Sequence, residues 1–96
     1  MKSDIEKKIS ARVAAAFEDV VTGMSTKARN DILSAAENIV REVWFGKIYA
    51  ALPTDKTMVG EYFLDAELEQ FLNEAVEECH KAIESIAEMI RREFNR

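Results

Sequence analysis

The chain has few of the residues that interrupt helices or cross-link a fold, and few histidines. Its 96 residues include three glycines, one proline, one cysteine and one histidine. The single cysteine excludes an internal disulfide, and no apolar segment follows the charged start at residues 1–8, so we expect no secretory signal. No apolar run approaches the roughly 18 residues that a membrane-spanning helix needs. We therefore expect a cytoplasmic protein with no membrane partner.

The residues that are abundant favour helix. Hydrophobic residues make up 48% of the chain and charged residues 32%, a balance typical of a globular protein. Alanine, glutamate, lysine, isoleucine and leucine are plentiful, and most of these lose little side-chain freedom in a helix. The composition predicts an all-α protein, and the length predicts one domain over residues 1–96.

The first predicted helix covers about residues 4–22. Ser3 and Glu6 fit a capping box, in which each side chain satisfies a free backbone N–H group. Apolar residues then recur every three or four positions, the spacing of an amphipathic helix. Gly23 can supply the left-handed residue that ends it.

Two longer helices are predicted after this one. Either Ser25 or Thr26 caps the second, which covers about residues 27–51 and stops before Pro53. The third covers about residues 58–94, where apolar residues separated by gaps of three and four resemble a coiled-coil seam.

The second and third predicted helices should form a long antiparallel hairpin, because their connection is short. The N-terminal amphipathic helix is too short to cover the whole third helix. We therefore expect this three-helix chain to assemble as a dimeric helical bundle, or as a multiple of dimers.

Aromatic residues cluster at the predicted tip of the hairpin, where five of the eight fall between positions 44 and 63. On the second helix the apolar groups spread over an arc of roughly 240°, whereas one hairpin partner covers a stripe of roughly 100° or somewhat more. Either the first helix covers the surplus, or the tip is an interface with a second copy or another protein. We favour the interface, since tyrosine and tryptophan suit such surfaces. The predicted partner-binding residues are Trp44, Phe45, Tyr49, Lys56, Tyr62 and Phe63.

The net charge of −5 comes from a single acidic stretch. Residues 57–80 contain seven acidic residues and no lysine or arginine. Such a stretch repels nucleic acid, and it either attracts a basic partner or forms a solvated helix face. The predicted acidic face consists of Glu61, Asp65, Glu67, Glu69 and Glu74.

Little in the sequence indicates catalysis. Glu77 and His80 are spaced as in the Glu-x-x-His pair of ferritin-like di-iron bundles, but the match covers four residues and the chain has no second histidine. We predict no metal site and no cofactor. Cys79 falls on the apolar seam, which predicts a core residue rather than a nucleophile. The chain has no glycine-rich phosphate loop, no Gly-x-Ser-x-Gly elbow and no zinc-ligand spacing, so we expect no enzyme.

The expected function is a non-catalytic protein-binding module, either an adaptor or an inhibitor. It would self-associate through its helical hairpin and bind an unidentified protein partner. The alternative is a small-ligand or metal binder with a site at the interface of a dimeric bundle. An anionic ligand near Lys56 is one form of that alternative.

Overall fold

The computed structural model describes residues 4–52 and 63–94, and within these ranges it contains four helices and no strand. The helices are α1 (Asp4–Ala16), α2 (Glu18–Val21), α3 (Thr26–Ala51) and α4 (Asp65–Phe94). The all-α prediction is confirmed. No helix in the described ranges is both long enough and apolar enough to cross a membrane.

The first predicted helix is interrupted at one residue. Phe17 has φ −109° and ψ 10°, which are not helical values, and it separates α1 from α2. The hydrogen bonding nevertheless continues, because Phe17 N–H donates to Val13 C=O at 3.0 Å and Val21 N–H donates to Phe17 C=O at 3.2 Å. The two helices therefore form one locally distorted rod that ends near the predicted boundary.

Helix α3 follows the sequence signals closely. Gly23 has φ +84°, the predicted left-handed conformation between the helices. Ser25 is the N-cap, and its hydroxyl accepts a hydrogen bond from Ala28 N–H at 3.2 Å. At the other end Leu52 is extended (φ −73°, ψ 143°), as expected for a residue that precedes a proline.

Helix α4 begins later than predicted. The predicted start at residue 58 lies outside the described residues, but Phe63 and Leu64 are not helical, so an uninterrupted helix over 58–94 is wrong. The Glu67 carboxylate accepts a hydrogen bond from Leu64 N–H at 3.0 Å, which is one half of a capping box. This contact fixes the helix start at Asp65.

Helices α3 and α4 form the predicted antiparallel hairpin. Trp44 contacts Leu68, whereas the earlier residue Ala36 contacts the later residue Cys79, so the two helices run in opposite directions. Helix α1 runs parallel to α4, since Arg12 contacts Glu69, while Phe17, just beyond the end of α1, stacks on the later residue His80.

The core lies between the three rods and is built from one stripe on each. Along α3 and most of α4 the buried positions are spaced by four residues, so they form a continuous stripe that winds slowly around each helix. The most buried side chains are Ile9, Val13, Phe17, Val21, Ile32, Ala36, Val40, Trp44, Ile48, Leu72, Ala75, Cys79, Ile83 and Ala87.

The end of α4 departs from the predicted seam. The buried stripe passes from Cys79 through Ile83 to Ala87. The apolar spacing predicts Ile86, and then Met89 or Ile90, as seam positions, but Ile86 and Met89 face outward.

The first helix covers part of the apolar surface of the hairpin, because Ile9 and Val13 of α1, Val21 of α2 and the intervening Phe17 belong to the core. Dimeric assembly stays a prediction.

Candidate functional site at the apical groove

Trp44 lies inside the chain's own core. It is 4% exposed, and its indole Nε1–H donates to the Leu68 carbonyl at 3.0 Å. That hydrogen bond satisfies the one polar group of the indole, so the ring can be buried at little cost. Trp44, one of the predicted partner-binding residues, is therefore a buried core side chain and does not project from the surface.

The other described aromatic residues of the predicted tip reach the surface to different degrees. Phe45 is half-buried, and its ring centroid lies 5.4 Å from that of Trp44 and 6.3 Å from that of Tyr49. Tyr49 is 62% exposed. Phe63 is half-buried and packs edge-on against Phe71, with 5.6 Å between ring centroids. The predicted contacts Lys56 and Tyr62 lie outside the described residues, as does Glu61 of the acidic face.

A groove of about 300 Å³ opens where the start of α1, the end of α3 and the start of α4 meet. We call it the apical groove. Most of its lining surface is apolar, although three of the residues that line it are charged. The described residues that line it are Asp4, Ile5, Lys8, Trp44, Phe45, Ile48, Asp65 and Leu68.

Exposed apolar side chains lie at the same end of the bundle. Leu64, next to the groove residue Asp65, is 71% exposed, and Ile5, which itself lines the groove, is 44% exposed. The ring centroid of Tyr49 lies 6.3 Å from that of the groove residue Phe45. One end of the bundle therefore carries both an apolar depression and apolar side chains that project beside it.

The acidic stretch serves in part to hold the chain's own helices together. The Glu69 carboxylate pairs with Lys8 and, at 2.7 Å, with Arg12, both from α1. Hydrogen bonds from Lys8 and then Arg12 hold the pKa of Glu69 below its ordinary value.

The remaining acidic residues are placed in several ways. On the side of α4 that faces α3, Lys47 Nζ lies 3.3 Å from Glu78 and 3.9 Å from Glu74. Glu67 caps the helix start, and Asp65 lies in the first turn, where a negative charge favours the helix dipole. The predicted acidic face is therefore divided among internal roles, which reduces what it offers to a basic partner.

The candidate metal and nucleophile residues are placed apart from the groove. The His80 ring stacks on Phe17 with 5.3 Å between centroids, and its Nδ1 lies 3.0 Å from Glu84 rather than beside Glu77. Among the described residues no group of three or more histidine, cysteine, aspartate or glutamate side chains is placed to hold a metal ion. Cys79 is a core residue, as predicted, and burial raises the pKa of its thiol to about 11. A thiol with so high a pKa is a poor nucleophile near neutral pH.

The sequence-based site prediction missed five of the eight described groove residues, namely Asp4, Ile5, Lys8, Ile48 and Leu68. The helical spacing predicts ordinary apolar helix positions for Ile5, Ile48 and Leu68, and nothing in it places three helix ends around one depression. Leu64 also fits the seam, and its exposure follows from the late start of α4. The capping glutamate three residues after Leu64 is the signal that points to this start.

Comparison of the chain with protein-family models, curated proteins and solved structures gives no match.

Proposed function

We propose that the chain is a non-catalytic protein-binding module that self-associates through the apical end of the bundle. The observation that carries the proposal is the pairing of an apolar groove with projecting apolar side chains at one end. Leu64 and Tyr49 are each more than half exposed beside this depression. Large apolar groups left in water favour association, at roughly 25 cal/mol per Å² of apolar surface buried.

The occupant that we favour is a second copy of the chain. An isologous interface requires a patch that is complementary to itself, with each copy offering what the other accepts. The groove residues carry both signs of charge, because Asp4 and Asp65 are negative and Lys8, which also pairs with Glu69, is positive. A twofold arrangement allows an acidic residue of one copy to approach Lys8 of the other.

Two finer predictions accompany this proposal. A role as an adaptor or inhibitor toward a further protein partner stays a prediction, as does the cytoplasmic location.

Binding of a small apolar ligand is the second candidate function. The groove is mostly apolar, and its volume of about 300 Å³ is at the lower limit of small-ligand sites.

A matched pair of isoleucine substitutions tests self-association. Ile5→Glu places a charge in the groove, and Ile86→Glu places one near the other end of the molecule, on α4. The two side chains are similarly exposed, at 44% and 38%. Light scattering should give a dimer mass for the wild type and Ile86→Glu, and a mass near the single-chain 10.9 kDa for Ile5→Glu.

Circular dichroism on both variants controls for helix loss. A wild type of single-chain mass contradicts self-association. If the wild type is such a monomer and an apolar fluorescent probe binds it but not Ile5→Glu, the result supports the small-ligand function in place of self-association.

A further inference from the structure

We infer that Leu64 of each copy fills the apical groove of the other, so that the groove is completed only in the dimer. This inference rests on the proposed self-association and names the side chain that occupies the site. Leu64 has the largest exposed fraction among the large apolar residues that the structure describes, at 71%.

The backbone of Leu64 is held in place, which distinguishes it from an apolar residue on a loose loop. Its N–H donates to the Glu67 carboxylate at 3.0 Å. Its carbonyl accepts hydrogen bonds from Glu67 N–H at 3.0 Å and Leu68 N–H at 3.1 Å. The side chain is therefore presented from a fixed helix start, and little backbone entropy is lost when it is buried.

The preceding residue fixes the direction of the side chain further. Phe63 packs toward the core against Phe71, and it contacts the buried cluster. Leu64 follows it outside the helix and is exposed. One residue thus anchors the segment inward while the next is turned to solvent.

The position of Leu64 beside the groove fits a twofold axis. Leu64 is adjacent in sequence to Asp65, and both Asp65 and Leu68 line the groove. When a projecting group lies beside a depression on one face, a twofold axis between them places each group in the other copy's depression. The same exchange buries two leucines and closes the assembly at two copies.

Charge substitution tests the contact, with Met89 as the matched control. Leu64→Glu should weaken the dimer roughly a hundredfold or more, because a buried leucine is replaced by a charge twice in a symmetric dimer. Met89→Glu changes a side chain of similar exposure, 65%, at the other end of α4 and should leave the dissociation constant within about threefold. Sedimentation equilibrium measures both constants.

Disulfide trapping identifies the groove that Leu64 enters. A Leu64→Cys chain is mixed with a larger, tagged Ile5→Cys chain and oxidised gently, so that any disulfide between the two lengths joins different molecules. Cys79 can stay in place because it is buried. Cross-linked heterodimer should form for this pair and not when Met89→Cys replaces Leu64→Cys.

The outcomes separate the inference from the proposed function. A dimer that survives Leu64→Glu without the cross-link, but dissociates in Ile5→Glu, overturns the role of Leu64 and keeps groove-mediated association. A dimer that survives both charge substitutions overturns both ideas. A wild-type chain whose mass stays that of one chain also overturns both the role of Leu64 and the proposed self-association.

Discussion

At the scale of single residues, Trp44 joins the core to the apical groove. Its ring is buried with the core side chains and also lines the groove, while its indole N–H reaches across to α4. Both properties depend on the whole indole, since a smaller ring lacks the donor and fills less space.

Replacing Trp44 by phenylalanine should therefore lower the free energy of unfolding by about 1–3 kcal/mol, through the lost hydrogen bond and the unfilled volume. Urea unfolding followed by circular dichroism measures this change. Tyr49→Phe is the control, because an exposed hydroxyl should contribute less than about 0.5 kcal/mol. Equal effects of the two substitutions would show that the indole contact is not formed.

Two glycines give opposite expectations for the same substitution. Gly23 has φ +84°, whereas Gly46 lies within α3, and an added Cβ meets no atom within 4 Å at either position. Gly23→Ala should cost about 1 kcal/mol of stability from backbone strain alone. Gly46→Ala should add about 0.5–1 kcal/mol, because alanine loses less backbone entropy in a helix. Thermal unfolding of both variants checks the signs, and a stabilising Gly23→Ala would contradict the turn.

At the scale of helices, charge pairs dock α1 on the hairpin. The two carboxylates involved come from different helices, Glu69 from α4 and Glu6 from α1, where Glu6 meets the guanidinium of Arg41. Its Oε1 accepts from Arg41 Nε–H at 2.9 Å. Because these side chains are partly exposed, each pair contributes modestly, and together they orient α1 over the core.

The Glu69 contacts predict a pH dependence. Its pKa is lowered in the folded chain, so its contribution is present above the ordinary value of 4.5 and is lost as the pH falls through the folded pKa. Glu69→Gln should cost about 0.5–1 kcal/mol at neutral pH, with a smaller difference from wild type in acid. Urea unfolding at several pH values measures it. Glu88→Gln, which breaks only an exposed pair within α4, should cost a few tenths. A Glu69→Gln cost that stays constant into acid would contradict this account.

The sequence predicts some elements well because their ends carry local signals. Helix α3 agrees within one residue at its start, where Ser25 caps it, and its end at Ala51 is as predicted before Pro53. The start of α4 was not predictable from periodicity, because Leu64 and Leu68 have the same apolar spacing whether or not the helix includes Leu64. The change at Phe17 has no proline or glycine beside it, so no local signal marks it.

The groove was less predictable than the helices. The apolar arc around Trp44 shows how much surface must be covered, but it does not say which element covers it. That depends on how α1 docks, and the docking uses pairs such as Arg12 with Glu69, which are 57 positions apart in the chain. Pairs between residues so far apart in the chain cannot be recognised from the periodic spacing of apolar residues in the sequence.

At the scale of the whole molecule, the described chain is elongated, with principal extents of 54 × 26 × 19 Å. The apolar groove and the projecting Leu64 lie at one end of this rod, while the exposed Met89 lies toward the other. An end-to-end dimer joined at the apical groove should therefore be longer than one joined along the helix sides.

The net charge of −5 per chain opposes association, and it comes from the stretch 57–80, which has no lysine or arginine and includes the apical residues of α4. Added salt screens this repulsion while leaving the apolar contact in place. We expect the dimer to tighten as the salt concentration rises. Weaker association in salt would instead indicate an interface held mainly by ion pairs.

The mass of the wild-type chain in solution, measured by sedimentation equilibrium from low to high micromolar concentration, tests the central claim most directly. We predict a reversible transition from one chain of 10.9 kDa to two chains, complete at tens of micromolar. A mass of one chain across the whole range would contradict the account.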